Sequence, residues 1–191
     1  MMQYCFPTVY WHFHVGQIDL EDLEERCVPN TEWNCNVKTS RGVEYDWNEF
    51  LNTIQPYFTQ LPYKKQGSLK FADPWMNVYT KGCYQESHHH MDGGPFDYGH
   101  QLSYCYFSKL PEGSGKFGFW NEQFRMYCSN RLQEVMNLDV VEWGFPEVKE
   151  GDLLIFPSFL THQVTYHPID DVRVTVSGNI RLTDQSPKST M

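Results

Sequence analysis

Three adjacent histidines, His88 to His90, are the residues of this chain best suited to hold a metal ion. They lie far from either end of the sequence, so they do not read as an expression tag. In an extended strand, alternate side chains share a face, so His88 and His90 would point the same way. Two imidazoles on one strand supply two of the three ligands of a facial metal site, and His162 is the best third candidate. The three histidines taken alone leave a second possibility open, a solvated loop that binds nothing.

A second His-x-His pair, His12 and His14, lies in a segment that alternates histidines with large apolar residues over 9–15. This alternation predicts a strand. The pair would also share a face and therefore competes with His88 and His90 as a metal site. Because the other face is wholly apolar, the pattern favours a terminal strand with a polar outer face over a metal site.

The elements that must position these histidines are two helices followed by many short strands. Apolar residues at helical spacing predict helices over 19–26 and 46–58, and Pro56 is expected to kink or restart the second one. Alternating or apolar runs predict strands over 9–15, 32–39, 75–79, 83–90, 102–108, 116–120, 153–156, 161–166 and 172–181. Short strands with turns every ~8–12 residues are typical of a barrel or sandwich. We predict a mainly β jelly roll whose N-terminal helices pack on the outer face of one sheet.

Length and composition limit the possible functions. The 191 residues predict a single domain. A net charge of −9 without a basic run argues against duplex nucleic-acid binding. No apolar run approaches the ~18 residues of a membrane span, and no secretory signal begins the chain. We therefore expect a cytoplasmic protein (in the host cytoplasm if viral) that acts on a small molecule or peptide, with a homodimer possible.

The six cysteines form no Cys-x-x-Cys pair, so we expect free thiols and no cysteine–zinc site. Loops are predicted over 91–100 and, as a lid or insertion, over 121–145. Both would flank the mouth of a cavity in a jelly roll, and loops at such a mouth are where substrate specificity resides.

The last predicted strand has two unlike faces. One face carries Val172, Val174 and Val176, and the other carries Arg173, Thr175, Ser177 and Asn179. The pattern alone favours a solvent-exposed polar face, while the alternative is a polar face lining a ligand cavity with the valines under the helices. Arg173 follows His162 by eleven positions, so an antiparallel pair joined by a turn at 167–171 would bring them together. An arginine fork can grip a carboxylate through two charge-assisted hydrogen bonds, and Thr175 or Ser177 can add a third.

An ordered series of residues over about 68–182 resembles a known family. The series comprises Trp75-x-Asn77, Gly82, Gln85-Glu86-x-His88-x-His90, Leu102-Ser103-Tyr104-x-Tyr106-Phe107, Gly151-Asp152-Leu153-Leu154-Ile155-Phe156-Pro157-Ser158-x-Leu160-x-His162-x-Val164 and Arg173-x-Thr175-x-Ser177-x-Asn179. It is similar to iron(II)- and 2-oxoglutarate-dependent oxygenases of the prolyl-hydroxylase-like superfamily, which include bacterial and marine phage members. The resemblance is most specific in its second half.

The resemblance implies a double-stranded β-helix, the jelly-roll core of that superfamily, and a specific site. Iron(II) would be held by His88, His90 and His162. The distal carboxylate of 2-oxoglutarate would meet Arg173, with Thr175 or Ser177 beside it, and Asn77 or Tyr106 would also touch this co-substrate. Most of the superfamily uses a His-x-Asp pair, so an alternative set is His90, Asp92 and His162. The upstream Gln85-Glu86 favours the first set, and His90 and His162 belong to both.

The implied activity is that of a non-heme iron(II)- and 2-oxoglutarate-dependent dioxygenase. It would use O2 to hydroxylate an unidentified substrate, with succinate and CO2 as co-products, and no acid–base residue of the protein is required. The alternative is a cupin-like metal-binding protein or metalloenzyme that does not use 2-oxoglutarate, because three imidazoles suit zinc or copper as well. A hydrolase is disfavoured by the lack of a Gly-x-Ser-x-Gly turn. A β-sandwich in which the histidines play no part is the non-enzymatic alternative.

Overall fold

Two antiparallel sheets form the fold in the computed structural model, which describes residues 8–33, 35–63, 67–91, 99–131, 134–135 and 140–184. The elements in chain order are β1 (Trp11–His14), α1 (Glu21–Arg26), β2 (Val28–Pro29), β3 (Lys38–Thr39), α2 (Asn48–Phe58), β4 (Gly67–Phe71), β5 (Trp75–Tyr79), β6 (Gln85–His88), β7 (Leu102–Lys109), β8 (Phe117–Trp120), α3 (Phe124–Ser129), β9 (Trp143–Gly144), β10 (Asp152–Pro157), β11 (His162–Val164) and β12 (Arg173–Asp184). The larger sheet has the order β1-β10-β7-β12-β5-β3-β2, with β4 also paired to β12. The smaller sheet has the order β6-β11-β8-β9.

The first layer of core lies between the helices and the larger sheet. Phe50, Ile54 and Phe58 recur along one face of α2 and are fully buried. The rings of Phe50 and Phe58 pack against Tyr104 of β7, with centroids 6.4 and 5.7 Å away. The valines of β12 belong to this same cluster. The predicted packing of the N-terminal helices on one sheet is therefore confirmed.

The polar face of β12 looks the other way, into the space between the two sheets. Arg173, Thr175 and Asn179 are all buried. The solvent-exposed face that the alternation favoured is wrong, because β12 is a central strand, paired with β5 and β7. Helices cover one of its faces and the smaller sheet covers the other, so Arg173, Thr175 and Asn179 are buried and Ser177 is half-buried.

The predicted hairpin between His162 and Arg173 is also wrong. Strand β11 pairs with β6 and β8 in the smaller sheet, whereas β12 pairs with β4, β5 and β7 in the larger one. The chain therefore crosses between sheets over 165–172 instead of folding back within one. The two residues approach the same interior because the two sheets pack face to face.

Smaller differences lie at the ends of elements. The helix α2 continues through Pro56 to Phe58, so the proline lies in the last turn and does not restart the helix. The possible strand over 32–39 is reduced to β3, and within 121–145 the described residues include α3 and β9. Asp92 and most of the predicted loop over 91–100 lie outside the described residues. Among the described residues, no helix is long and apolar enough to cross a membrane.

Candidate metal centre

Three imidazoles from two neighbouring strands converge at one end of the interior. His88 ends β6 and stands opposite His162, the first residue of β11, in the register of that pair. His90 lies two residues past β6, where its backbone N–H donates to Ser158 O at 2.9 Å. The ring centroids are 4.4 to 5.1 Å apart, and one ring nitrogen from each histidine lies within 4.8 Å of the others. The structure therefore brings His88, His90 and His162 together.

The hydrogen bonds of the three rings leave the same nitrogen of each ring available to a metal. The Nδ1 atoms of His88 and His162 lie 2.7 and 2.8 Å from the carbonyl oxygens of Glu86 and Leu160. A carbonyl only accepts, so each Nδ1 carries the proton and donates it. The Nε2 lone pair is then free, which is the arrangement of metal-bound imidazoles.

His90 is oriented by side chains instead of by the backbone. Its Nδ1 lies 2.6 Å from Asn179 Oδ1 on β12 and 3.1 Å from Ser103 Oγ on β7. Ser103 also donates to Asn179 Oδ1 at 2.8 Å and contacts Ser158 Oγ at 2.8 Å. This buried network ties the metal centre of the smaller sheet to two strands of the larger one.

The electrostatics favour neutral, metal-competent imidazoles. Burial, together with the neighbouring His88 and His90, holds the pKa of His162 well below its usual value. Burial also lowers the pKa of His88, against the opposing effect of the Glu86 carbonyl and carboxylate. Metals bind the neutral form of histidine, so these shifts favour metal binding at neutral pH.

In the part of the chain that the structure describes, this triad is the only group of three or more histidine, cysteine, aspartate or glutamate side chains placed to hold a metal ion. Three imidazoles on one side of an ion suit iron(II), zinc or copper and leave the opposite positions open. Phe117 and Phe156 pack against His162, with ring centroids 5.4 and 4.9 Å away, and make that wall apolar.

A cavity of about 390 Å³ opens beside the triad, between the two sheets. Its polar wall comes from β5 and β12 and is formed by Asn77, Tyr79, Thr175, Ser177 and Asn179. Its volume falls in the range of small-molecule sites, about 300–1,000 Å³. Three of the predicted co-substrate residues, Asn77, Thr175 and Ser177, therefore lie in this wall.

Arg173 is not itself a lining residue: it lies on β12 two residues before Thr175, opposite Tyr79 in the strand register, and is completely buried. Its guanidinium carbon is 4.6 Å from the ring centroid of Tyr79 and 5.7 Å from that of Phe107. None of its three side-chain nitrogens has a hydrogen-bond partner among the described residues. A buried charge without a partner is strongly unfavourable, and two aromatic rings compensate for only part of that cost. The position therefore fits an anion, and a carboxylate matches the fork of the guanidinium.

The structure does not place Tyr106 in the cavity. Tyr106 faces the helices, where its hydroxyl donates to Gly16 O at 2.9 Å and its ring packs on Phe50 at 5.7 Å. The expected contact of Tyr106 with the co-substrate is therefore wrong. The β7 residues that line the cavity are Tyr104 and Cys105.

Tyr79 lines the polar wall of the cavity but was not predicted as a site residue from the sequence. It stands opposite Arg173 in the β5–β12 register. Burial raises its pKa to about 12, against the lowering effect of Arg173, so its hydroxyl stays a neutral donor. The spacing along β5 could have predicted this position of Tyr79. Trp75, Asn77 and Tyr79 are two residues apart, so their side chains share one face of the strand. Asn179 was placed on the correct strand face, but its bond to His90 was not foreseen.

The described cysteines contribute no nucleophile to the cavity. Cys27, Cys35, Cys83, Cys105 and Cys128 are all free thiols. Burial raises the pKa of the cavity-lining Cys105 to about 11, so it remains protonated near neutral pH. Only a thiolate is a strong nucleophile, so the cavity does not favour cysteine hydrolase chemistry.

Comparison with known proteins gives both a family and a fold. The family described as "Putative 2OG-Fe(II) oxygenase" matches residues 73–179, more than half of the chain. No curated protein sequence matches. Among solved structures, HygX from Streptomyces hygroscopicus, with nickel, 2-oxoglutarate and hygromycin B bound, superposes with a TM-score of 0.61 at 10% identity. That alignment covers 93% of this chain and 84% of HygX.

Two prolyl hydroxylases are also similar. The Pseudomonas putida prolyl-4-hydroxylase has a TM-score of 0.55 at 14% identity, over 94% of each chain. The viral collagen prolyl hydroxylase of Paramecium Bursaria Chlorella virus-1, in complex with 2OG, has a TM-score of 0.57 at 14% identity, over 90% of this chain and 95% of that one. At such low identities these similarities bear on the fold alone, and they confirm the predicted jelly roll.

Proposed function

Because the chain belongs to the family of 2OG-Fe(II) oxygenases, we propose that it hydroxylates a C–H bond of its substrate. The proposed reaction consumes one O2 and one 2-oxoglutarate for each hydroxylation. One oxygen atom enters the substrate as the hydroxyl group, and the other enters the new carboxylate of succinate as CO2 is released. Atoms and electrons therefore balance without a further reductant.

The observation that carries this proposal is the buried guanidinium of Arg173, which has no hydrogen-bond partner in the part of the chain that the structure describes. A dicarboxylic keto acid lying along the wall of β5 and β12 would place its distal carboxylate against that fork. Thr175 and Tyr79 present hydroxyls in the same wall, and Tyr79 stands opposite Arg173 in the strand register. The keto end of the molecule would then point towards the histidines.

The metal in this proposal is iron(II), held through the Nε2 atoms of His88, His90 and His162. When bound, iron(II) and 2-oxoglutarate supply the oxidising chemistry, which no side chain of the protein has to perform. The protein holds the ligands in fixed tautomers through Glu86 O, Leu160 O and Asn179. Three histidines leave three of six coordination positions for the keto acid and O2.

The cavity walls have a second role, which is to orient the reactants and exclude water. Phe117, Phe156 and Val164 line the cavity opposite the polar wall. An apolar wall of this kind keeps bulk water away from the reacting groups. The walls would also hold the reacting groups in a fixed orientation, which lowers the entropic part of the barrier.

The test is anaerobic binding of iron(II) and 2-oxoglutarate, followed by succinate release in air. We expect a visible charge-transfer band when both are added to the wild-type protein. We expect Arg173→Gln to lose the band at 2-oxoglutarate concentrations that saturate the wild type, because the distal carboxylate loses a charge-assisted pair worth about 1.5–3 kcal/mol.

The matched control is Arg181→Gln, on the same strand, whose Nε donates to Gly99 O at 3.3 Å. It should bind 2-oxoglutarate like the wild type. Unchanged 2-oxoglutarate binding in Arg173→Gln would contradict the proposed grip. Metal binding without any 2-oxoglutarate binding in the wild type would favour the cupin-like alternative.

A further inference from the structure

The cavity beside the histidines is lined by one carboxylate, which belongs to Glu86 of β6. Among the described residues that line the cavity, Glu86 is the only acidic one, and it is half-buried. It lies two residues before His88, so the two side chains leave the strand on the same face. Its backbone carbonyl also lies 2.7 Å from His88 Nδ1. A negative charge therefore stands on the same strand face as a proposed metal ligand.

In the described part of the chain, the partners of this carboxylate are neutral groups. Gln85 Nε2 donates to its Oε2 at 2.6 Å. Burial raises the pKa of the nearby Cys35 thiol, and the charge of Glu86 adds to this effect, so the thiol stays protonated. No lysine or arginine of the described residues lies within ion-pair distance of Glu86. Because a carboxylate can accept about four hydrogen bonds, both charge and acceptor capacity remain for a cationic ligand.

The other charged side chain of the cavity lining, Arg41, has a carboxylate partner of its own. Its Nη1 lies 3.8 Å from Glu32 Oε2. Its guanidinium also rests on two indoles, with its central carbon 4.5 Å from the ring centroid of Trp33 and 4.2 Å from that of Trp75. Two carboxylates, Glu32 and Glu86, thus outnumber one guanidinium here. The local charge favours a cationic ligand over an anionic one.

A second acceptor lines the cavity from the larger sheet. Asn77 of β5 is only 5% exposed and stands opposite Thr175 in the β5–β12 register. Its Oδ1 is buried and has no hydrogen-bond partner among the described residues. A buried acceptor without a donor is unfavourable, and 2-oxoglutarate, as a dianion, has no N–H or O–H to offer. A ligand with N–H donors would satisfy this oxygen, whereas the co-substrate would not.

We propose that the substrate carries a cation with several N–H donors, a protonated amine or a guanidinium, and that Glu86 binds this cation. Asn77 Oδ1 accepts a further N–H of the same substrate. This assignment rests on the proposed function, because it names the substrate class of the same site. Arg173 takes the dianionic co-substrate and Glu86 takes the cationic substrate, so each reactant meets a side chain of opposite charge.

The test uses protein loaded with nickel(II) and saturating 2-oxoglutarate, so that the co-substrate position is occupied and no turnover occurs. Benzylammonium, benzamidinium and neutral benzyl alcohol are titrated by calorimetry at pH 7. We expect the wild type to bind at least one of the two cations about tenfold or more tightly than benzyl alcohol, as for a charge-assisted pair. This preference is a ratio of affinities for the same protein, so incomplete loading of a variant does not alter it.

The variants separate the charge of Glu86 from its other contacts. Glu86→Gln keeps the backbone carbonyl beside His88 and a side-chain oxygen for Gln85, so it should bind nickel(II) like the wild type but lose the preference for cations. Asn77→Leu should weaken binding of the cations about fivefold, as for one lost neutral hydrogen bond. The matched control is Glu112→Gln, which removes the same charge from an exposed glutamate outside the cavity lining. It should leave all three affinities unchanged.

Each result counts for or against the proposal. A cation preference that survives in Glu86→Gln, or that is missing in the wild type, overturns it, and unchanged cation binding in Asn77→Leu rejects the role of Asn77. If 2-oxoglutarate binds normally in such an experiment, the proposed function stands and only the substrate class is rejected. If 2-oxoglutarate fails to bind the nickel-loaded wild type, the proposed function fails first and the role of Glu86 fails with it.

Discussion

Two segments of this protein carry a His-x-His pair, and the structure uses the pairs in opposite ways. In β1, His12 Nε2 and His14 Nδ1 each lie 2.8 Å from an oxygen of the same carboxylate, Asp152. His88 and His90 instead lie beside a third imidazole, His162. The Nδ1 atoms of His88 and His90 hydrogen-bond to Glu86 O and Asn179 Oδ1. Both pairs obey the same spacing rule, so spacing alone does not distinguish a ligand pair from a structural pair.

The difference lies in what stands opposite each pair. Strand β1 lies at one end of the strand order of the larger sheet, and its pairing with β10 brings Asp152 into register with His14. The side chains of His12 and His14 are 37% and 54% exposed. The pair at the end of β6 faces the interior, where β11 contributes a histidine and not a carboxylate. Three imidazoles that converge in the interior are suited to a metal, whereas the Asp152 carboxylate already has two histidine partners.

The largest expected effect separates the two pairs directly. His162→Ala should weaken metal binding by more than the roughly 10–100-fold that outer-shell changes cost, because a ligand itself is lost. His12→Ala should bind metal like the wild type. Competition dialysis with iron(II) or nickel(II) measures both affinities. Equal losses in the two variants would show that the pairs do not differ as described.

A smaller effect is expected from the residue that orients His90. Asn179→Ala removes the acceptor of the His90 Nδ1 proton, so metal affinity should fall by roughly 10–100-fold. Asn179→Asp keeps an acceptor in place and should restore most of the loss. The same dialysis measures the series, and Asn36→Ala, which loses only a surface bond to Gly82 O, serves as control. Wild-type affinity in Asn179→Ala would show that Asn179 is not needed to position His90.

The smallest effect concerns the pair at the edge of the larger sheet. Burial raises the pKa of Asp152, but hydrogen bonds from Lys149 N–H, His12 and His14 outweigh burial and lower it overall. A carboxylate whose folded pKa is depressed stabilises the fold above its unfolded pKa of about 4, and this contribution is lost as pH falls through the folded value. We expect Asp152→Asn to lower the free energy of unfolding by about 1 kcal/mol at pH 7. The loss should be no larger, because the exposed histidines can hydrogen-bond to water instead.

Urea unfolding at several pH values measures this difference, which should shrink below about pH 4. The control is Asp170→Asn, since the pair of Asp170 with Lys81 is exposed and should contribute almost nothing. A stability difference that stays constant as the carboxylate is protonated would contradict the role given to Asp152.

Local spacing was enough to predict most of the strands and the set of histidines that converges. The strand over 75–79 matches β5 at both ends, and helical spacing identified the buried face of α2. These features depend on neighbours in the chain, whose relative directions are set by periods of 2 and 3.6 residues. The same periods grouped Arg173, Thr175, Ser177 and Asn179 on one face of β12.

Only the tertiary structure decided which environment each face meets. Alternation cannot tell whether a polar face looks to water or to a second sheet, so the burial of Arg173 was missed by pattern alone. The bond of Asn179 to His90 and the contact of Arg41 with Trp33 and Trp75 join segments far apart in sequence. Such contacts depend on how two sheets face each other, which no local period encodes.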